Sequence, residues 1–578
     1  MRRTCIGLRR PGAFHAALLL LGLVSPLRAA EPLHRKIDRL VESKLTAEPA
    51  AIATDAEFLR RVSLDLTGMI PSSTDARAFL DDPSPYKRDR LIDRLLASPA
   101  YAWRMAEVYD VMMMERRDDQ TIPEAGWREF LRKAVAANIP FNQLVAQILS
   151  ADGTDPETRP AARFYLARQA EPNQLTRDVG RIFLGRDLQC AQCHDHPLID
   201  DYKQQHYYGL FAFLSRSAVF NDPKLGAVLA EKAEGDVSFS SVFKKGITHK
   251  TGPKILDGPA VAEPAVAKGA EYLLAPNKEN TALSVPRVSR RALLGPTLTD
   301  GKSPDFSRNI VNRLWALLMG KGIVHPLDMN HSENPPSQPE LLDLLAKEFV
   351  ALGFDVKAFL REVALTKTYQ RSSEPPPVAA ASPAESAQPA AAQPLAVAAL
   401  RPLGPEQIGW SVMQGLGLVE ASRRGAEERL GGSDARLRAI FATDPKRQAL
   451  RIEMVEQLIH EQLGGAVVPF VQQFAAAAGQ PQDVNEPTVQ QALFLANGYP
   501  IEGWLAPSGI NLTARLQAMT DPAALADELY LSLLTRRPTA EERDEVARYL
   551  ADRGKDRVPA IRELAWALLA STEFRFNH

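Results

Sequence analysis

Two cysteines, two histidines and an aspartate fall within seven consecutive positions of this 578-residue chain. The segment reads CAQCHDHP and contains Cys190, Cys193, His194 and His196. Thiolates and imidazoles bind transition metals, and thiols can also carry covalently attached cofactors. No other stretch of the sequence is as dense in such groups, so this segment is the first candidate for a functional site.

The spacing Cys-x-x-Cys-His is the attachment sequence of c-type haem. Two thiols three residues apart on one turn can reach the two vinyl groups of a porphyrin, and the following histidine then lies under the iron. We therefore predict that Cys190 and Cys193 bind haem c covalently and that His194 binds its iron. With both axial positions filled such a site transfers single electrons, whereas an open position permits chemistry on peroxide or small gases.

The same residues support two non-haem alternatives. Cys190, Cys193, His194 and His196 supply four ligands of the types that zinc or iron accepts, although four ligands within seven residues would strain a tetrahedron. A disulfide between Cys190 and Cys193 is the other alternative, since disulfides form in oxidising compartments. If His194 binds the iron, His196 cannot bind it from the other side, because two residues of chain cannot wrap around a porphyrin. His196 is therefore predicted to support the site through hydrogen bonds.

A second axial ligand is not identified by any pattern, because each single candidate is more often a core or surface residue than a ligand. The candidates are Met112, Met113, Met114, Met329, His206 and His331. The sequence HEQLG, which begins at His460, starts like a zinc-protease motif but has no second histidine. We expect His460 to lie on the surface of a helix.

The chain begins with a targeting segment, and the elements that position the cysteine segment come after it. Residues 1–30 contain a basic leader, MRRTCIGLRRPGAFH, then a short apolar run, AALLLLGLV, and a small-residue end, SPLRAA. This order is typical of a secretory signal peptide that is cleaved near Ala30. We therefore expect an exported protein, periplasmic or extracellular, whose mature chain keeps only Cys190 and Cys193. Export agrees with haem c attachment, which takes place outside the cytoplasm.

Composition excludes some functions. The formal net charge is −1, whereas nucleic-acid-binding surfaces need an excess of Lys and Arg, so we predict no nucleic-acid partner. After the leader no stretch is long and apolar enough to span a bilayer, so no integral membrane segment is expected. There is no G-x-S-x-G, Walker or G-x-G-x-x-G motif. The sequence therefore assigns no enzymatic reaction, and it names no redox partner.

Apolar residues recur at three- and four-residue spacing along most of the chain, which predicts helices. We predict a mainly α, multi-helical protein of two domains with a small β-containing insert between them. The insert includes GDVSFSSVFKKGITHKTGPKILDG, whose β-branched and aromatic residues alternate with Gly and Pro. The segment SEPPPVAAASPAESAQPAAAQPLAVAAL is rich in Ala and Pro and is predicted to be a flexible linker.

Residues 64–101 and 533–574 share a pattern of a helix end, a Pro with Ser or Thr, and two helices that close in LLAS and an aromatic residue. The pattern predicts a helical hairpin that is used twice to pack a core. Pro71 and Pro538 are predicted at the first helical position, where a missing N–H costs nothing.

Two stretches of the sequence resemble the second type of planctomycete cytochrome-c-like domain. They are FLRRVSLDLTGMIPSSTDARAFLDDPSPYKRDRLIDRLLASPAYAWRMAEVYDVMM and LQCAQCHDHPLIDDYKQQHYYGLFAF. Two further stretches resemble the planctomycete-specific domain that commonly follows it. They run from RRALLGPTLTD to KTYQRSS and through the closing LYLSLLTRRPTAEERDEVARYL. The resemblance implies an exported protein, with a cytochrome-like motif carried by Cys190, Cys193 and His194.

These observations predict six regions. They are a signal peptide (1–30), a helical cytochrome-c-like domain with Cys-x-x-Cys-His (31–221), a small β-containing connection (222–286), the first part of a second helical domain (287–372), an Ala/Pro-rich linker (373–400) and the remainder of the second helical domain (401–578). The predicted function is electron transfer by an exported c-type-cytochrome-like protein. The alternative is an exported scaffold or binding protein in which the cluster binds a metal or forms a disulfide.

Overall fold

The computed structural model describes residues 31–118, 121–243, 246–279, 281–376, 393–431, 444–482 and 488–578. The predicted signal peptide lies outside the described residues, as do residues 377–392 of the predicted linker. Within the described ranges the fold is mainly helical with small two-stranded sheets, which confirms the predicted fold class. In the same ranges none of the helices combines the length and the apolar character needed to cross a bilayer.

Helices of the region before the sheets are α1 (Leu33–Lys44), α2 (Asp55–Thr67), α3 (Ser73–Asp81), α4 (Lys87–Leu96), α5 (Pro99–Met114), α6 (Glu124–Ala136), α7 (Phe141–Ser150), α8 (Arg163–Leu166), α9 (Pro172–Leu184) and α10 (Gln204–Leu214). Two short 3₁₀ turns, Arg159–Ala162 and Gln189–Gln192, flank α8 and α9. The second of these turns contains the first cysteine of the candidate segment.

Helices after the sheets begin with α11 (Arg290–Thr299), α12 (Pro304–Met319), α13 (Pro339–Ala351), α14 (Val356–Ala364) and α15 (Lys367–Gln370). The chain continues with α16 (Pro405–Gly415), α17 (Leu418–Arg429), α18 (Pro445–Leu463), α19 (Val468–Phe474), α20 (Val489–Asn497) and α21 (Tyr499–Leu505). It ends with α22 (Leu512–Ala518), α23 (Pro522–Leu534), α24 (Ala540–Arg553), α25 (Arg557–Ala570) and α26 (Thr572–Arg575). A 3₁₀ turn at Gly464–Val467 joins α18 to α19.

The strands pair as short antiparallel ribbons. They are β1 (Ser217–Asp222) with β2 (Gly226–Glu231), β3 (Val237–Phe239) with β4 (His249–Thr251), β5 (Tyr272–Leu274) with β6 (Val285–Pro286), and β7 (Arg401–Pro402) with β8 (Phe576–Asn577). The first three ribbons supply the β structure expected around 222–286. The β3–β4 ribbon packs on α10, where the rings of Tyr208 and Phe239 stack 4.6 Å apart.

The end of α9 shows how local signals deliver the chain to the candidate segment. Glu171 caps the helix by accepting the backbone N–H groups of Asn173 and Gln174. Gly185 ends it with φ 67°, a left-handed conformation that favours glycine. A Cβ atom at this position would also lie 2.8 Å from Oδ1 of Asn309. Glycine is therefore required twice over at the point where the chain turns towards Cys190.

The two copies of the repeated hairpin begin with hydroxyl caps. Ser72 accepts the N–H of Asp75 at the start of α3, and Thr539 accepts the N–H of Glu542 at the start of α24. The prediction that Pro71 and Pro538 occupy the first helical position is wrong, because each lies just before the capping residue. The hydroxyl satisfies a free N–H of the first turn, a role that proline cannot fill.

Three hydrophobic clusters form the interior. The largest joins buried residues from 33 to 369 with Leu531, so it contains parts of both predicted helical domains. The second combines Leu64 and Ile70 with residues between 403 and 574, and the third surrounds Met413 and Ile459. Helix α2 contributes to the first two clusters. The predicted domain limits stay a prediction, but the packing runs across them.

A buried carboxylate fixes the end of the chain against α2. Asp65 accepts hydrogen bonds from the hydroxyl of Tyr369 at 2.7 Å and from the side-chain amide of Asn577 at 2.8 Å. The Arg401 guanidinium binds both oxygens of the same carboxylate, at 2.8 and 2.9 Å. Paired buried charges of this kind are specific in geometry. Asp65 thus connects α2, α15 and the β7–β8 ribbon.

Candidate functional site

The 3₁₀ turn at Gln189–Gln192 presents the cysteines to solvent. Leu188 and Ala191 are buried beneath it, and the N–H of Ala191 donates to the carbonyl of Leu188 at 3.0 Å. The side chains of Cys190 and Cys193 are exposed, and no bond joins their sulfur atoms. Burial of the residues between and before the cysteines therefore fixes the turn while both thiols stay accessible.

A distant segment holds the second cysteine in place. The carbonyl of Cys193 accepts the N–H of Val242 at 3.1 Å, and the N–H of Cys193 bonds weakly to the carbonyl of Cys190 at 3.4 Å. The ring of Phe243 lies 4.8 Å from the ring of His194, centroid to centroid. Val242 and Phe243 are neighbours of the site that the sequence analysis missed, since nothing in their local sequence indicates contact with residues 49 positions earlier.

His194 is oriented by the backbone. Its Nδ1 lies 2.7 Å from the carbonyl oxygen of Asp195. A carbonyl can only accept, so Nδ1 donates and, in the neutral ring, Nε2 keeps its lone pair. The Asp195 carboxylate accepts the N–H of Gln204 at the start of α10 at 2.9 Å. The hydrogen bond at Nδ1 thus leaves the lone pair of Nε2 available.

His196 forms hydrogen bonds within its own turn. Its Nδ1 accepts the N–H groups of Leu198 and Ile199 at 3.2 and 3.0 Å, and its backbone N–H donates to the carbonyl of Tyr202 at 2.8 Å. Its ring stands edge-on to Tyr202. Among the described residues no group of three or more His, Cys, Asp and Glu side chains is arranged to hold a metal. The zinc or iron alternative stays a prediction.

Apolar side chains lie exposed around the cysteine turn. Leu198 is 78% exposed, Phe243 76% and Val242 58%. In contrast, Tyr207, Leu210 and Leu214 of α10 are completely buried in the largest hydrophobic cluster. This face of α10 is therefore part of the core. The exposed apolar surface belongs instead to the loops beside His194.

A loop of the second helical region packs against the start of the cysteine turn. The N–H of Asp187 donates to the carbonyl of Asp328 at 3.0 Å, and the N–H of Asn330 donates to the carbonyl of Gly185 at 2.9 Å. The buried ring of His331 stands edge-on to Tyr202, 5.3 Å between centroids. Residues from both halves of the chain therefore shape the environment of the segment.

The candidate second axial ligands differ in how they are engaged. Both ring nitrogens of His206 are used, by the carbonyl of Asp201 and the carboxylate of Asp257, each at 2.9 Å. Neither ring nitrogen of His331 has a hydrogen-bond partner among the described residues, and burial lowers the pKa of this histidine. Met113 and Met114 are buried in the core. His331 is the one histidine of this set with free ring nitrogens.

The expectation for His460 is wrong. Its ring stacks on Trp103 at 4.0 Å, nearly parallel, and lies 4.6 Å from Trp410. It is therefore packed between two aromatic residues from different helices rather than placed on a helix surface. The periodicity of α18 did not reveal this contact, because the partners lie 357 and 50 positions away along the chain.

The fold and this segment define a mainly helical protein with an exposed Cys-x-x-Cys-His turn that is held by two halves of one chain. Two family models match the chain. Residues 36–218 match PSCyt2, described as a protein of unknown function (DUF1549), and residues 290–550 match PSD1, described as a protein of unknown function (DUF1553). The two matches follow one another in the order of the planctomycete domain pair that the sequence resembles. No curated protein and no solved structure matches it.

Proposed function

We propose that this protein is an exported c-type-cytochrome-like electron carrier. In this proposal Cys190 and Cys193 bind haem c covalently and His194 binds its iron. The observation that carries the proposal is the exposed turn at 189–194, where two accessible thiols precede an imidazole that is oriented by a backbone carbonyl. The name of the matching model, PSCyt2, is in keeping with a cytochrome-like domain.

The thiols fit covalent attachment because they are accessible on a fixed turn. Leu188 and Ala191 anchor the turn in the core, so neither cysteine is needed for packing. Thioether formation needs each sulfur to reach a vinyl group, and buried thiols could not do so. When bound, haem c supplies a one-electron redox centre whose potential depends on its ligands and surroundings.

The imidazole fits iron binding because of the hydrogen bond at Nδ1. Histidines that bind metals almost always donate their other ring N–H to a carbonyl, carboxylate or water, which fixes the ring and raises the basicity of the ligand nitrogen. The carbonyl of Asp195 provides this partner at 2.7 Å. His194 is thus the residue that would hold the iron, and Asp195 sets its tautomer.

The surroundings fit a large apolar group. Leu198, Val242 and Phe243 are exposed beside the turn, and each could lose contact with water against a porphyrin. Burial of an apolar side chain of this size contributes about 1.5–3 kcal/mol. Exposed apolar side chains that lie together mark ligand or interaction sites more often than single exposed ones do.

The alternative function is that of an exported scaffold or binding protein with zinc, iron or a disulfide at the same cysteines. The structure gives it less support, since the two sulfur atoms are not bonded and Nδ1 of His196 accepts two backbone N–H groups. These alternatives predict different products. They can therefore be separated in a single expression experiment.

The test is to express the full chain with a haem c maturation system and to analyse the mature protein after denaturation. We expect absorbance and mass of a covalently bound haem, and loss of covalent attachment in the Cys190→Ala/Cys193→Ala double variant. His194→Ala should impair pigment formation, whereas His196→Ala, the matched control two positions later, should leave the attached haem in place. Metal content measured in parallel reports zinc or iron without haem.

A mature protein that lacks covalent haem in the presence of active maturation machinery would refute the proposal. Zinc that is lost in both His194→Ala and His196→Ala would support the four-ligand alternative, and a mass consistent with a disulfide would support the other. Export is tested by cell fractionation and by sequencing the mature N-terminus, which we expect near residue 31. A cytoplasmic protein that still carries residues 1–30 would contradict that part of the proposal.

A further inference from the structure

A second candidate site lies far along the chain from the cysteine turn. A cavity of about 430 Å³ opens between α5, α16 and the end of α18 with its following 3₁₀ turn. Its volume lies within the range of small-molecule sites, which is roughly 300–1,000 Å³. The cysteine segment contributes no residue to its lining. The cavity therefore needs an explanation of its own.

Aromatic rings form one wall. Trp103 and His460 stack 4.0 Å apart with an angle of 7° between their planes, and Trp410 lies 4.6 Å from His460. The Nδ1 of His460 donates to the carbonyl of Glu456 at 3.0 Å, and burial lowers the pKa of this histidine. The wall is thus uncharged at neutral pH and offers apolar ring surface beside the charged side chains of the cavity.

Two buried donors beside this wall have no acceptor. Trp103 Nε1 and Arg104 Nε lack a hydrogen-bond partner among the described residues, and both residues line the cavity. A buried donor without an acceptor costs about 1–3 kcal/mol, so native proteins rarely keep one without a reason. Two such donors in one cavity indicate a ligand that offers oxygen acceptors.

Four carboxylates of the cavity are already held by arginines. Glu107 pairs with Arg104, and Glu406 binds Arg116 through both oxygens. Burial and the nearby Glu406 raise the pKa of Glu107 to about 7, against the opposing effect of Arg104. The raised pKa favours the protonated form of this carboxyl group, which can donate a hydrogen bond as well as accept one.

The overall charge of the lining argues against an ionic ligand. Five arginines and five carboxylate side chains line the cavity, so their formal charges cancel. A free anion or cation would compete with the ion pairs Arg104–Glu107 and Arg116–Glu406. A neutral molecule with several hydroxyl groups would satisfy the donors, exchange hydrogen bonds with Glu107 and pack its C–H surface against the rings.

We propose that this cavity binds a neutral saccharide of about one or two sugar rings, with Trp103 Nε1 and Arg104 Nε donating to its oxygens and Glu107 bonding its hydroxyls. The aromatic wall of Trp103, His460 and Trp410 packs against the sugar ring. This site lies on residues from both matched regions, so the ligand contacts α5 and the helices after residue 405 together.

The test uses the full mature chain and named probes, glucose, galactose, xylose, lactose and cellobiose, with galacturonate and inorganic sulfate as anionic probes. Binding is measured by saturation-transfer NMR and calorimetry. Trp103→Phe removes the indole N–H but keeps a ring for stacking, and Glu107→Gln keeps the shape of the carboxyl group. Each should weaken the binding of a neutral sugar about tenfold, the effect of one hydrogen bond.

Trp566→Phe is the matched control. The Nε1 of Trp566 donates to the carbonyl of Ala496 at 2.7 Å, and this residue lines a different cavity. We expect its sugar affinity to equal that of the unchanged chain. Absence of neutral-sugar binding, preference for the anionic probes, or equal weakening by Trp566→Phe would each overturn the proposal. Circular dichroism of the folded variants ensures that a loss at Trp103 or Glu107 reports binding.

Discussion

Replacement of Asp178 by alanine should destabilise the region that delivers the chain to the cysteine turn. Asp178 lies on α9 and is almost completely buried, and its Oδ2 lies 2.6 Å from Nε of the buried Arg168. Arg117 and Arg181 also bind this carboxylate, each at 3.2 Å. Without Asp178, the partners left to the Arg168 guanidinium among the described residues are the carbonyls of Phe164 and Met113 and, at 4.0 Å, the sulfur of Met114.

The expected magnitude follows from burial. Removal of one partner of a buried ion pair costs about 3–5 kcal/mol, because the remaining charge stays uncompensated in the interior. Arg361 and Asp93 provide a matched control, with the same residue types and the same 2.6 Å between Nε and a carboxylate oxygen, but with side chains 39% and 51% exposed. Asp93→Ala should cost about 0–1 kcal/mol, as exposed pairs do.

The pH dependence gives a second measurement. Burial raises the pKa of Asp178, but the three surrounding guanidinium groups lower it by more, so the pKa lies below its usual value. A carboxyl group with a lowered pKa in the folded state stabilises the protein above its unfolded pKa of about 3.9. This contribution is lost as the pH falls through the folded value. The difference between the parent chain and Asp178→Ala should therefore shrink below about pH 4.

Hydrogen–deuterium exchange of α9 and urea unfolding measure these effects locally and globally. We expect faster exchange in α9 for Asp178→Ala and little change for Asp93→Ala. Addition of Arg168→Met to Asp178→Ala should recover part of the stability, since it removes the unpaired charge. Equal costs for Asp178→Ala and Asp93→Ala, or no recovery in the double variant, would refute the argument from burial.

Two further substitutions test local features of the fold. Thr539→Ala removes the hydroxyl that accepts the N–H of Glu542, so α24 should lose about 0.5–2 kcal/mol, measured by urea unfolding with Thr539→Ser as the tolerated control. Gly415→Ala places a Cβ 2.7 Å from Cδ2 of Leu533 and should cost about 1–3 kcal/mol. A Cβ at Gly425, inside a helix, has no other described residue's atom within 4 Å apart from its chain neighbours and its own helix backbone, so Gly425→Ala should raise the melting temperature instead. A stabilising Gly415→Ala would show that α16 and α23 can separate without cost.

The helical fold could be predicted because its signals are local. Apolar spacing indicates a helix within a dozen residues, and caps such as Thr54, which accepts the N–H of Glu57, act within one turn. The error at Pro71 and Pro538 has the same origin, since proline and the hydroxyl beside it both suit a helix start. Only the hydrogen bond of the hydroxyl decides which residue is the cap.

The candidate site could be predicted only in part. Cys190, Cys193 and His194 adjoin one another, so their spacing is readable in the sequence. Val242 and Phe243 reach the same turn from a β-containing region, and no periodicity in either segment encodes that contact. The cavity at Trp103 and His460 was missed for the same reason. Its residues gain their chemistry from partners that tertiary packing supplies.

The contacts around α9 bear on why the two matched regions occur in one chain. Arg181 of α9 binds Asp328 at 3.0 Å, and Arg313 of α12 binds the same carboxylate. The carbonyl of Asp328 then accepts the N–H of Asp187, two residues after the glycine that ends α9. Asp328 of the second region thus pairs with the charge of Arg181 and holds the backbone next to the cysteine turn. Because a turn with two exposed thiols has few side-chain contacts of its own, its geometry depends on these neighbours, and the second region is part of the structure that positions Cys190.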